Sequence, residues 1–431
     1  MTQKSLDHKL ARIHADPHGA KDFLLADAKD ADMAFGIGAP GQSPEAHTGE
    51  LRYRSLSEYR ANIEQIVEQG HVDIMLMSAS TSEVLTLYKR IFDKSNVTPA
   101  ARANDTTDVH VLRGGKYFAN PSLPFRSASL DHIQCGHLDC APEERQHGVN
   151  LGLYSITFNN DTGLDRDALE EYKAFRLEAE HKGFRHFLEV FDPNQPNAID
   201  PAKAPGFIND AIARTLAGVT SAGRPLFLKM VYHGPKAMEE LVQYDPHLVI
   251  GILGGGAGTT YDAFKLLSEA RKYGARVALY GRKINHAENQ LAFIHLLRYI
   301  ADGEITAEEG VRAYHGVLEN LRIKPHRSLE DDMVLHTNIM SYGGNGVSIS
   351  LPPSSTKFSK TASDSGASCS CNGKQKSATF NTQHAECSCP TGSGAASANG
   401  HAAGNGTVDF SKMTTGEKIA YHRARWNRIL G

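Results

Sequence analysis

The chain lacks what several protein classes require. Among its 431 residues there is a single tryptophan, Trp426, and only six cysteines. Cys135 and Cys140 stand in a stretch of mixed composition, whereas Cys369, Cys371, Cys387 and Cys389 fall in a low-complexity one. That uneven placement is not the framework of a small secreted disulfide scaffold. No apolar run reaches the roughly 20 residues that span a bilayer. Neither charge sign dominates, since 46 Lys and Arg against 49 Asp and Glu leave a net charge of −3. A basic surface for nucleic acid and an acidic solvating tail are both absent. The opening residues, MTQKSLDHKLARIHADPHGAK, have no apolar core of the kind a secretory signal carries. The expectation is a cytoplasmic protein with neither membrane nor nucleic acid among its partners.

What the chain does contain divides into three regions. Residues 1–345 have the mixed composition of a folded domain. Residues 346–407 are mostly Ser, Gly, Ala, Asn and Thr, too poor in large apolar groups to offset chain entropy, and are read as a disordered linker. Residues 408–431 regain helix-forming character. Thr414 and Glu417 form a capping-box pattern, and Ile419, Trp426 and Leu430 share one face among Arg423, Arg425 and Arg428.

Within 1–345, short apolar runs alternate with amphipathic stretches. The expected strands are Met33–Ile37, Val72–Met77, Ala100–Ala103, Leu151–Ile156, Phe187–Phe191, Leu226–Tyr232, Leu248–Leu253 and Arg276–Tyr280. Runs of this kind suit parallel strands buried on both faces. Helices are expected over Ser57–Gln69, Ser82–Phe92, Arg166–Lys182, Ile208–Ala222, Pro235–Tyr244 and Thr260–Tyr273. Eight strands in βα alternation is the count of a (β/α)8 TIM barrel, with a doubly wound open sheet as the alternative. The connection from Asp105 to Gly148 is the least regular segment, suited to a lid or an extra hairpin.

In a barrel, chemistry belongs at the C-terminal strand ends. The sixth expected strand holds Lys229 within an apolar run, and the fifth holds Glu189. Burial favours the neutral amine, the form that attacks a carbonyl, and a nearby carboxylate can move its protons. A rim lysine reaching solvent, or a structural Lys229–Glu189 pair, fits the same fragments. The seventh strand runs into Gly254-Gly255-Gly256 and Gly258, and the eighth into Gly281-Arg282-Lys283. Glycines that bare backbone N–H groups, a helix N-terminus and an arginine fork together suit a phosphate. Arg102 and Asp105, at the end of the third strand, are further substrate-binding candidates.

Residues 184–300 resemble the class I, Schiff-base barrel aldolases, especially tagatose-bisphosphate aldolase and the archaeal-type fructose-bisphosphate aldolases. The resemblance rests on Phe187-Leu-Glu189-Val, on Lys229-Met-Val-Tyr-His-Gly-Pro235, on the glycines after strand seven and on Tyr280-Gly-Arg282. It implies Lys229 as nucleophile, Glu189 as proton shuttle with Tyr232 or Tyr154 assisting, and Gly255, Gly256, Gly281 and Arg282 around a phosphate. It implies a phosphorylated carbonyl substrate; no cofactor, no metal and a homo-oligomer are further expectations. Archaeal-type members carry an acidic residue just after strand one. Phe35–Gly41 offers none, and Asp32 precedes the expected strand. A phosphosugar isomerase or epimerase, and a non-catalytic phosphosugar-binding protein, are the other functions this pattern admits.

Two features stand apart. Cys135-Gly-His137-Leu-Asp-Cys140, with His147 nearby, has the residue types of a metal half-site without a standard zinc spacing, and reads more simply as loop residues. A disordered spacer leading to a short amphipathic helix resembles the encapsulation peptides that dock enzymes into bacterial microcompartment shells. A shell or partner protein is therefore an expected contact of residues 408–431, with folding back onto the chain's own barrel or a neighbouring subunit as the alternative.

Overall fold

In the computed structural model, eight parallel strands alternate with helices and close on themselves. The structure describes residues 3–41, 53–109, 112–255 and 258–336; the expected linker and terminal helix lie outside them. The strands are β1 (Leu24–Lys29), β2 (Ile74–Met77), β3 (Thr98–Arg102), β4 (Leu151–Thr157), β5 (Arg185–Phe191), β6 (Leu228–Met230), β7 (Ile250–Leu253) and β8 (Val277–Tyr280). Each pairs with its neighbours in sequence, and β8 returns to β1 with Leu24 opposite Val277 and Asp27 opposite Tyr280. That last pairing removes both sheet edges and excludes the open, doubly wound alternative.

Seven of the eight expected strands overlap those observed; the first does not. Met33–Ile37 falls instead in a short helix, Asp32–Phe35, and a 3-10 turn, Gly36–Gly38. Gly36 has φ +56°, and Ile37 is 70% exposed, so the segment cannot be a buried strand. The true β1, Leu-Leu-Ala-Asp-Ala-Lys, is masked in an apolarity scan by the charges of Asp27 and Lys29.

Side-chain alternation on each strand sorts residues into two cores. Leu24, Ala26, Ile74, Leu76, Ala100, Leu151, Leu153, Phe187, Phe227, Val249, Val277 and Leu279 fill the barrel interior. Leu6, Leu10 and Ile13, at helical spacing on the helix Ser5–Ala15, join that cluster. The opposite strand faces, including Leu25, Met75, Leu188, Leu228 and Ile250, pack against the surrounding helices. The outer helices have strong local starts. Leu56–Gln69, Thr260–Lys272 and Ala307–Asn320 each begin with a complete capping box, from Ser55–Glu58, Thr259–Asp262 and Thr306–Glu309.

The irregular connection after β3 contains a two-residue antiparallel ladder, Asp105–Thr106 with Pro124–Phe125, and the helix Leu130–Cys135. Gly136 ends that helix in the left-handed region, and Asp139 is also left-handed. The two reversals bring Cys135 and Cys140 to 6.1 Å between Cα atoms, joined as a disulfide. No helix of the described residues is long and apolar enough to cross a membrane.

Candidate active site

The inward positions change character along each strand. On β4 they run Leu151, Leu153, then Ser155; on β5 Phe187, then Glu189; on β3 Ala100, then Arg102. At β6, Phe227 just ahead of the strand and then Lys229 face inward, while Leu228 between them joins the outer core. Lower layers are therefore apolar, and the layer toward the C-terminal strand ends is polar.

Register brings the two expected catalytic groups together. Glu189 is opposite Lys229, and Lys229 is opposite Gly251. Lys229 Nζ lies 2.5 Å from Glu189 Oε1, with both side chains buried. Glu189 Oε2 accepts a 2.6 Å hydrogen bond from Ser155 Oγ. Ser155 is itself held by Asn104, whose Oδ1 accepts from the Ser155 N–H at 2.6 Å and whose Nδ2 donates to the Ser155 carbonyl at 2.9 Å. Arg102 closes the ring. Its Nε donates to Asp30 Oδ2 at 2.6 Å, and it stands 3.5 Å from Asp105 and 3.7 Å from Glu189. Burial alone would depress this guanidinium, but Asp30, Glu189 and Asp105 hold it above its ordinary value. It is a fixed cation among three carboxylates, and Arg102 and Asp105 thus belong to the same polar layer as Lys229.

The observed β1 also supplies an acid that the sequence pattern hid. Asp30 directly follows this strand, whereas Phe35–Gly41 offered no carboxylate. Ser155 and Asn104 were likewise missed, being ordinary polar residues whose role depends on register. At the ends of β5 and β6, the buried His233 Nε2 lies 2.8 Å from Asp192 Oδ2. His233 Nδ1 and Asp192 Oδ1 have no hydrogen-bond partner among the described residues.

Both tyrosines offered as helpers face the other way. Tyr154 packs on Tyr172 and Phe175 of the helix Thr162–His181. Tyr232 belongs to the outer core, where burial and then Glu269 raise the pKa of its hydroxyl. An odd separation along extended chain puts two side chains on opposite faces, so Tyr232 does not share the inward face of Lys229.

The glycines after β7 and β8 have steric causes. A Cβ on Gly254 would run into the Tyr280 ring, and one on Gly281 would meet the Ala28 carbonyl oxygen at 2.5 Å. Gly255 has φ +59°; Gly256 lies outside the described residues. The helix beginning at Thr260 has an N-terminus already filled by carboxylates, since Asp262 accepts from the Thr259 N–H and Asp332 from the Thr260 N–H. Positive charge is found instead after β8. The Arg282 guanidinium packs over the Phe35 ring, 5.5 Å from its centroid, and pairs with no carboxylate among the described residues. Burial pushes its pKa down. Lys283 Nζ donates to the Gly258 carbonyl at 2.8 Å, tying the two loops together, and burial lowers its pKa to about 8. His286 is lowered first by burial and then by Arg282, Arg54, His326 and Lys283, so these cations surround one another. Asp332, Asp262 and Glu288 act on Lys283, and Glu288 lies 3.4 Å from His326 Nδ1, which leaves Arg282 as the member of this group best placed to meet an anion.

No family model matches the sequence, and no curated protein matches it. Solved structures do. A fructose-bisphosphate aldolase from Slackia heliotrinireducens superposes with TM-score 0.51 at 13% identity, over 75% of this chain and 93% of that one. A Schiff-base-forming fructose-1,6-bisphosphate aldolase is similar with TM-score 0.49 at 17% identity, over 69% of this chain and 100% of the other. An orotidine 5'-phosphate decarboxylase from Pyrococcus horikoshii is similar with TM-score 0.33 at 14% identity, over 57% and 95%. The first of these shows a shared barrel fold.

Proposed function

We propose that this chain is a class I aldolase, a lyase in which Lys229 forms a Schiff base with a phosphorylated ketose or related carbonyl compound. The observation that carries the reading is the buried contact of Lys229 Nζ with Glu189 Oε1 at 2.5 Å in the polar layer of the barrel. The ion pair passes a proton from amine to carboxylate as substrate displaces water. The neutral amine adds to the carbonyl carbon, giving a carbinolamine. Glu189 returns the proton to the carbinolamine hydroxyl, water leaves, and an iminium remains. Glu189, again a carboxylate, takes the proton from the hydroxyl on the β-carbon as the C–C bond breaks. The electron pair passes into the iminium, giving an enamine and releasing an aldehyde. Glu189 returns that proton to the enamine carbon, and hydrolysis of the resulting iminium by water frees the second product and restores Lys229. Ser155 and Asn104 keep Glu189 in place through these steps, while Arg282 and its neighbouring cations hold the phosphate.

The Asp192–His233 pair favours one other reading, a phosphosugar isomerase or epimerase in which this dyad moves the proton and Lys229 only balances charge. Borohydride reduction separates the two. With a panel of phosphorylated ketoses and aldehydes, the aldolase reading expects a reduced adduct that peptide mapping places on Lys229. No adduct with any of the panel, or an adduct that persists in Lys229→Ala, rejects it.

A further inference from the structure

The connection between β3 and β4 carries a second cluster of chemistry-bearing side chains, in the segment Cys135–Glu144. We propose that this segment, once its disulfide is reduced, is a zinc site with Cys135, Cys140, His137 and Glu144 as ligands. Four groups of these types make the tetrahedral N/O/S set that Zn2+ prefers.

The arrangement is already built for it. One ligand atom from each of Cys135, His137 and Glu144 lies within 4.8 Å of the others, and Cys140 is joined to Cys135. His137 Nδ1 donates to the Leu138 carbonyl at 2.8 Å and Nε2 donates to Glu144 Oε1, so zinc would take the place of the proton between Nε2 and that carboxylate. Glu144 Oε2 accepts from the Ala141 N–H at 2.8 Å, and its Oε1 is turned to within 3.1 Å of His137 Nε2. Each of these two ligands thus has its second polar atom anchored by loop backbone, the outer-shell support that metal sites use to orient ligands. The Cα separation of 6.1 Å lets two thiolates about 3.8 Å apart share one ion at ordinary Zn–S distances. Arg145 Nη2 donates to the Cys140 carbonyl at 3.1 Å, placing a cation beside the net negative charge the filled site would carry.

Disulfide and zinc are mutually exclusive occupants. A dithiol reductant delivers two electrons and two protons to the S–S bond and becomes a disulfide itself. Zinc then displaces the two thiol protons into solvent. The site lies in the crossover between β3 and β4, and its function is to lock that connection in a reducing environment as the disulfide does in an oxidising one.

The test uses the full-length chain with Cys369, Cys371, Cys387 and Cys389 changed to serine, so that only Cys135 and Cys140 remain. After reduction with a phosphine, zinc is added, unbound metal is removed, and bound zinc is counted by elemental mass spectrometry. One zinc per chain is expected in the reduced protein and none in the oxidised protein. Cobalt in place of zinc should give a thiolate-to-metal charge-transfer band. His137→Ala, which keeps both cysteines and alters an exposed side chain, should weaken zinc binding by about tenfold or more with an unchanged circular dichroism spectrum. Equal zinc in reduced and oxidised protein, no zinc in either, or undiminished affinity in His137→Ala would each overturn the assignment.

Discussion

Two lysines are buried on barrel strands, and they differ in which face of the strand they occupy. Lys29, on β1, shares its face with Leu25 and points into the outer layer. There it pairs with Asp27 at 3.3 Å, donates to Asn285 Oδ1 and to Gln290 Oε1, and lies over the Tyr59 ring. Lys229, on β6, points into the barrel and has Glu189 as its ion-pair partner. Burial lowers the Lys29 pKa, and Asp27 opposes that shift. Depth alone therefore does not mark a reactive amine. Lys29 commits its hydrogen-bonding capacity to side-chain partners that hold helices to β1, whereas Lys229 stands in the polar layer at the C-terminal strand ends.

The largest expected difference between the two is covalent. Lys229→Ala should abolish borohydride trapping and lower aldol turnover by about a thousandfold or more, while Lys29→Met keeps the trapping. An adduct lost in Lys29→Met but kept in Lys229→Ala would reverse the comparison. Stability should sort them the other way. Lys29→Met leaves Asp27 buried without its cation and should cost about 3 kcal/mol in urea unfolding. Lys229→Met should cost less, because Ser155 and Arg102 still support Glu189. Arg282→Ala should raise KM for a phosphorylated substrate by about tenfold or more, with kcat nearly unchanged, as expected for loss of a charge-assisted contact.

A pH effect tests the outer pair alone. Burial raises the Asp27 pKa to about 6 in the fold, with Lys29 opposing the shift. The unfolded carboxyl titrates near about 4. Between those values the folded state binds the extra proton, so this group's contribution is greatest below about pH 4 and declines as pH rises to about 6. Asp27→Asn should flatten that part of the stability profile, read as denaturation midpoints from about pH 4 to 7. The smallest effect is expected at Tyr232→Phe. Its hydroxyl has no hydrogen-bond partner among the described residues and faces the outer core, so kcat/KM should change by less than about threefold.

Burial decides how much of this was legible in the chain. β4 to β8 are nearly continuous apolar runs, because parallel strands are covered on both faces, and their positions could be read directly. β1 could not, because Asp27 and Lys29 interrupt it and Met33–Ile37 nearby is more apolar. The same error hid Asp30. Lys229 and Glu189 stood out as charges in apolar strands. Ser155, Asn104 and the Asp192–His233 pair did not, since their types are common outside sites and only register gives them partners. Tyr232, so close to the lysine in the chain, illustrates the limit of sequence proximity.

The order of strands and helices, the presence of charged groups within buried strands and the glycine-bearing ends of β7 and β8 follow from the sequence by itself. Those are local properties, set by hydrophobic periodicity and backbone sterics. Which face each charge occupies, which carboxylate meets which cation, and the closing of β8 onto β1 were decided only by the tertiary structure. A one-residue change of register moves every side chain of a strand to the other face, and no local pattern specifies the partner strand against which that register is set.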